Sequence, residues 1–145
     1  MSIIAYLNFK GNCREAVEFY ADVFGTEKPT IMTFGDMPPN PEHPIPEEAK
    51  NWVMHAMLMI NGSAIMFSDV FPDMPFTMGN NISLMVHSND MDEVKTWFHK
   101  LKEDGKVGME LQETMWSKLY GNVTDKFGIG WQVNLNNEEA QKTSM

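Results

Sequence analysis

The sequence predicts an α+β fold built from two βαβββ modules, and three observations carry that reading. The first is a diverged internal repeat. Ile4-Ala5-Tyr6-Leu7 leads through Gly11-Asn12 to Glu15-Ala16-Val17 and Phe19-Tyr20. A second run, 78 residues later, takes Ile82-Ser83-Leu84-Met85 through Asn89-Asp90 to Glu93-Val94 and Trp97-Phe98. The second observation is that both copies read as a strand, a polar turn and an amphipathic helix with an aromatic pair on its apolar stripe. The third is that three short strand patterns follow each helix. Self-similar units of this size are single supersecondary modules that need a shared core.

The elements follow in order. Residues 3–9 are apolar and aromatic and read as a strand. Asn12 stands at an N-cap position. Ala16, Val17, Phe19, Tyr20 and Val23 then recur at helical spacing over 14–24, and Gly25 stands where a C-cap belongs. Residues 30–34 form a short strand. Pro38, Pro39, Pro41, Pro44 and Pro46 make 35–50 a long exposed loop, because proline suits neither a helix interior nor a central strand. Residues 52–60 are apolar on both faces, Asn61-Gly62 is a two-residue hairpin signal, and 64–68 is its antiparallel partner. The connection 69–79 holds Phe71, Met74, Phe76 and Met78, which need something to pack against.

In the second copy, 82–86 is a strand, and Asn89 or Asp90 caps a helix over 91–103 that ends at Gly105. Strands follow at 107–111, 118–124 and 130–135, the last two joined by the turn Asp125-Lys126-Phe127-Gly128. The organisation is therefore one domain over 1–136, with modules at about 1–72 and 78–136, and a polar, frayed tail at 137–145. Each sheet is expected to have one face under its helix and one free face. Bringing the free faces together would enclose a cleft between curved sheets.

Composition narrows the function classes. The chain has 145 residues and a formal charge of −9. That charge argues against nucleic acid and anionic membrane surfaces, which select basic patches. No apolar run approaches a membrane span, and the N-terminus has no basic stretch before its apolar one, so no secretory signal is expected. One cysteine, Cys13, rules out an internal disulfide framework and fits a cytoplasmic protein. Fourteen methionines are unusual. Most are expected in the core, but methionine also suits adaptable binding surfaces.

A set of short patterns, in order, carries a family resemblance. They are Tyr6-Leu7-Asn8-Phe9, Gly11-Asn12, Glu15-Ala16, Phe19-Tyr20, Phe24-Gly25, Met54-His55-Ala56, Asn61-Gly62-Ser63, Phe67-Ser68-Asp69 and Gly105-Lys106-Val107. The set closes with Gln112-Glu113-Thr114-Met115-Trp116, Tyr120-Gly121, Thr124-Asp125 and Phe127-Gly128-Ile129-Gly130-Trp131. Over about residues 2–136 the chain resembles the PhnB-like branch of the vicinal oxygen chelate superfamily. That superfamily includes glyoxalase I, extradiol dioxygenases, and the fosfomycin and bleomycin resistance proteins. The resemblance implies a glyoxalase/bleomycin-resistance-like fold and a homodimer, which the apolar segment 71–78 also suggests. Members of the branch are often labelled demethylubiquinone methyltransferases. The sequence does not support that label, because no Gly-rich turn follows the first strand as a nucleotide-type cofactor would need.

The resemblance also implies a divalent metal held by His, Glu or Gln side chains on the first and last strand of each module. The aligned positions here offer Ala5, Ser83 or Asn81, Met66 with its neighbours Phe67 and Ser68, and Gln132. These do not make a three-ligand site, so no metal cofactor is expected. His55 and Gln132 form the weak metal alternative. His55 otherwise reads as a neutral histidine bonded to backbone.

The candidate pocket residues are Tyr6, Asn8, His55, Met66, Trp116, Tyr120 and Gln132, with Asn134 on the face of Gln132 by period two. No catalytic residue is assigned. Ala5-Leu7-Phe9 is as credible an inward set for the first strand as Tyr6-Asn8. Neutral amides and phenols hold a ligand but are weak acids and bases. The favoured reading is thus a small-molecule binding protein without a catalytic metal. The alternatives are a metal-dependent lyase or oxygenase of the glyoxalase and dioxygenase type, and an acidic drug-sequestering resistance protein.

Overall fold

The computed structural model describes residues 1–136. The polar tail expected over 137–145 lies outside the described residues. Two compact units divide the chain, one over Met1–Thr77 and one beginning at Met78.

The first unit contains β1 (Ala5–Phe9), α1 (Cys13–Phe24), β2 (Ile31–Thr33), β3 (Val53–Ile60) and β4 (Ser63–Asp69). Its sheet has the order β1-β4-β3-β2, with β1 parallel to β4 and the other pairs antiparallel. The second unit contains β5 (Ser83–Ser88), α2 (Met91–Leu101), β6 (Lys106–Gln112), β7 (Tyr120–Thr124) and β8 (Gly130–Leu135). Its order, β5-β8-β7-β6, repeats the first, with β5 parallel to β8. Each unit is a βαβββ module, and together they give the α+β fold that the repeat predicts. Among the described residues no helix is long and apolar enough to cross a membrane.

Each helix forms where apolar spacing and local capping agree. On α1, Cys13, Ala16, Val17, Tyr20 and Val23 are buried, and Gly25 closes the helix in the left-handed region at φ 62°. Tyr20 stacks on Phe67 of β4 with ring centroids 5.9 Å apart, which ties the helix to its sheet. On α2 the buried stripe is Val94, Trp97, Phe98 and Leu101. Asp90 caps this helix, its carboxylate accepting from the amides of Asp92 at 2.9 Å and Glu93 at 3.4 Å. The helix ends at Leu101, short of Glu103, because Asp104 adopts φ 55° and turns the chain into β6. In the hairpin, Asn61 and Gly62 have φ 48° and 83°, the two positive values that a tight turn between twisted strands requires.

The N-terminus of α1 differs from the expectation. Asn12 makes no side-chain capping bond. The cap comes from Asp69 at the end of β4. Its Oδ1 accepts from the amides of Gly11 at 2.7 Å and Cys13 at 3.1 Å, and its Oδ2 accepts from Val53 at 2.8 Å. One buried carboxylate therefore joins the start of α1, the start of β3 and the end of β4. In the second unit Asp125 is the comparable hub. It accepts from the amides of Phe127 at 2.8 Å and Ile129 at 3.1 Å, and from the indole of Trp131 at 2.8 Å.

The proline-rich stretch contains two short 3-10 turns, Phe34–Asp36 and Glu47–Ala49, and Phe34 and Ala49 are buried. It is thus anchored at both ends rather than exposed throughout. Phe71 meets Phe34 edge-on at 5.7 Å, so part of the apolar connection packs within its own unit.

Candidate functional site

Each sheet has a face against its helix and a face without one. In the first unit, Leu7, Phe9, Ala56, Leu58, Ile65 and Phe67 are buried on the side where α1 packs. Strand alternation and register put Tyr6, Asn8, Met32, His55, Met57, Met59, Met66 and Ser68 on the other side. The inward set on β1 that covers the core is therefore Leu7 and Phe9 with Ala5. Tyr6 and Asn8 belong to the open face.

In the second unit the open face carries Ser83, Met85 and His87 from β5, Gln132 and Asn134 from β8, and Tyr120 and Asn122 from β7. The helix side holds Val86, Val123, Trp131 and Val133, all buried.

The repeat and the strand faces do not share one offset. The helix starts, Cys13 and Met91, keep the 78-residue spacing. The turn before α1 has three residues and the turn before α2 has two. The strand positions are therefore displaced by one, and a one-residue slip exchanges the faces. By position in the sheets, Tyr6 corresponds to Met85, Asn8 to His87, Met66 to Gln132 and Ser68 to Asn134. The first-strand ligand position read from the sequence as Ala5 is corrected on this ground: Ala5 lies on the helix-covered face. Ser83, read as its mate, lies on the open one.

Tyr6, Asn8, His55 and Met66 share the open face of the first sheet. The Tyr6 hydroxyl lies 3.4 Å from Nδ1 of His55, and Ser68 donates to Oδ1 of Asn8 at 3.3 Å. His55 thus contacts a phenol, where the sequence suggested a histidine bonded to backbone. It also lines a depression of about 460 Å³ with Met32, Met57, Met59 and the segment 26–30. Sequence reading missed Met32 and Met57 as site residues; their alternation with His55 across β2 and β3 was the available signal.

Trp116, Tyr120 and Gln132 come together in the second unit. The Tyr120 hydroxyl donates to Oε1 of Gln132 at 2.7 Å, and Nε2 of Gln132 donates to Oγ of Ser83 at 2.9 Å. Trp116 is in the loop before β7, not on a strand. It is 59% exposed and meets Tyr120 edge-on at 5.3 Å. Oδ1 of Asn134 is buried and accepts no hydrogen bond from any described residue. A buried acceptor without a donor costs about 1–3 kcal/mol, so a donor there is worth having.

The donors on these faces do not fit a hard divalent catalytic metal. The positions that correspond across the repeat are Tyr6, Met66, Met85 and Gln132. They include neither carboxylate nor imidazole. Among the described residues no group of three His, Cys, Asp or Glu converges. Hard cations need oxygen donors with charge, and zinc needs imidazole, thiolate or carboxylate.

Comparison with known proteins supplies the family. The model of the family described as 3-demethylubiquinone-9 3-methyltransferase matches residues 1–134. The chain is 34% identical to the protein YjdN of Escherichia coli (strain K12), over 93% of this chain and 95% of that one. It is similar to the crystal structure of protein PA1353 from Pseudomonas aeruginosa at TM-score 0.82 and 34% identity, covering 94% of this chain and 98% of that one. The PhnB protein from Bacillus cereus follows at TM-score 0.72 and 31% identity, covering 94% and 100%. A glyoxylase/bleomycin resistance protein/dioxygenase domain from Frankia sp. EAN1pec shares the fold at TM-score 0.66 and 12% identity, covering 95% and 93%. The chain therefore belongs to the PhnB-like family that carries the 3-demethylubiquinone-9 3-methyltransferase description, and it shares its fold with the glyoxylase/bleomycin resistance protein/dioxygenase domain.

Proposed function

We propose that this protein binds a small, largely apolar molecule with a few polar groups, and that the open face of its second sheet is the binding surface. The observation that carries the reading is the relay from Tyr120 through Gln132 to Ser83, beside the exposed Trp116 ring. The relay fixes the orientation of a neutral amide. It leaves the exposed Ser83 hydroxyl free to donate to a ligand. Trp116 adds a flat apolar surface. Such a mix orients a ligand, and its amides and phenol are weak acids and bases.

The helix N-termini support binding over nucleotide-dependent group transfer. Asp69 already occupies the amides at the start of α1, and Asp90 those at the start of α2. A cofactor phosphate at either end would have to displace an internal carboxylate. Sequestration of a cationic drug gains no support from the open faces either. The open-face positions named above on β1 to β5, β7 and β8 include no Asp or Glu.

A homodimer and a cytoplasmic setting belong to the same proposal. Met74 and Met78 are half exposed and apolar, and the one cysteine is buried and free.

The test is a thermal-shift screen of small aromatic and aliphatic metabolites. A compound bound only by the folded state adds about 2.7 kcal/mol at a hundredfold excess over its Kd. A compound that stabilises the wild type and not Gln132→Leu supports the proposal. Equal shifts in both proteins contradict it.

A further inference from the structure

The open face of the first sheet holds a soft donor set that the ligand surface of the second sheet does not use. Met32 on β2 is the direct cross-strand partner of His55 on β3, and Met57 follows His55 by two residues on the same face. Directly opposed side chains start about 5 Å apart. Two thioethers on flexible stems thus flank one imidazole. Met32 and Met57 are 47% and 42% exposed, and both line the same depression as His55.

We infer that Met32, His55 and Met57 form a binding site for a soft monovalent cation, of the class of copper(I) or silver(I). Thioether sulfur is a poor ligand for hard or divalent ions and a good one for these soft ions. An imidazole with two thioethers gives three neutral donors, which suits a cation of charge one that prefers low coordination. The Tyr6 hydroxyl, 3.4 Å from Nδ1, supplies the supporting contact. With the proton on Nδ1 donated to the phenol oxygen, Nε2 carries the lone pair that meets the ion. Tyr6 is then a positioning residue that selects the tautomer. All residues of the site belong to the first unit.

The test uses the full chain and the metal alone. Silver(I), and copper(I) under anaerobic conditions against a chromophoric copper(I) chelator, are titrated into wild type, Met32→Leu, Met57→Leu, His55→Ala and Cys13→Ala. Leucine conserves methionine volume, so the two thioether variants keep the fold. The expected result is one equivalent bound by wild type and by Cys13→Ala, at least tenfold weaker binding in each leucine variant, and loss of binding in His55→Ala. Zinc should not compete. In methyl-labelled protein, the Met32 and Met57 ε-methyl resonances should move on addition of silver(I) while those of the other methionines stay in place. In Tyr6→Phe, the ring nitrogen shifts of His55 should show a smaller share of the Nδ1–H tautomer. Undiminished binding in a Met32→Leu/His55→Ala/Met57→Leu protein would overturn the inference. So would binding that disappears with Cys13→Ala, or displacement by zinc.

Discussion

Asp69 joins three backbone segments through one buried carboxylate, and its loss should be felt in all of them. Asn at this position keeps one acceptor oxygen but turns an NH₂ toward a backbone donor. We expect Asp69→Asn to destabilise the protein by roughly 2–4 kcal/mol, since each hydrogen bond to a charged group is worth about 1.5–3. Chemical denaturation with an unchanged slope would measure it. The sequence did not reveal this role. Asn12 has the right local position for a cap, and a cap supplied from the far end of another strand leaves no local pattern.

Cys13 gives a second test at the same scale. Burial first, then the neighbouring Asp69 charge, push its thiol well above the ordinary range, with Arg14 opposing weakly. The thiol should react with a disulfide reagent only as fast as the protein unfolds. The linkage has a definite sign. Below about pH 8.5 the thiol is protonated in both states and contributes no slope. Above it the unfolded thiol ionises while the folded one does not, so stability falls by up to about 1.4 kcal/mol per pH unit. Cys13→Ala should remove that part of the slope between pH 8.5 and 9.5.

At the scale of elements, local chemistry was legible where it is local. The Asn61-Gly62 turn, the Asp90 region and the apolar stripes of both helices could all be read from spacing. Gly62→Ala should cost about 1 kcal/mol through its positive φ alone, because nothing in the structure crowds an added Cβ there. Asp90→Ala should cost a similar amount, about 1 kcal/mol, by removing the cap of α2. Thermal unfolding of the two variants checks both values.

Strand faces were less legible than helices. The repeat aligns α1 with α2, but the turn before α2 is one residue shorter, and that exchanges the face of every aligned strand residue. Ala5 and Ser83 therefore looked equivalent in the sequence and lie on different faces. Period-two alternation alone could not decide between Ala5-Leu7-Phe9 and Tyr6-Asn8, because both sets contain large apolar groups. Register against β4 decides it: Leu7 lies beside buried Phe67, and Tyr6 beside Met66.

At the scale of the whole molecule, composition and function separate. The charge of −9 says little about the open faces: the first is rich in methionine and the second bears amides. The family was legible because its signature is an ordered set of short patterns over the whole chain, each tied to a turn, cap or strand end. Ligand identity was not, because it depends on a few side chains brought together by register. We expect a dimer by light scattering at micromolar concentration, with Met74→Glu/Met78→Glu shifting the mass toward the monomer. A wild-type monomer under those conditions would remove that part of the proposal.

The central claim is that the Tyr120–Gln132–Ser83 relay holds a small molecule. The most direct measurement is untargeted mass spectrometry of small molecules released from the purified protein. Wild type is to be compared with a Gln132→Leu variant of confirmed fold. The account predicts at least one compound enriched with wild type and depleted in the variant. The same compounds in equal amounts from both proteins, or none from either, would contradict it.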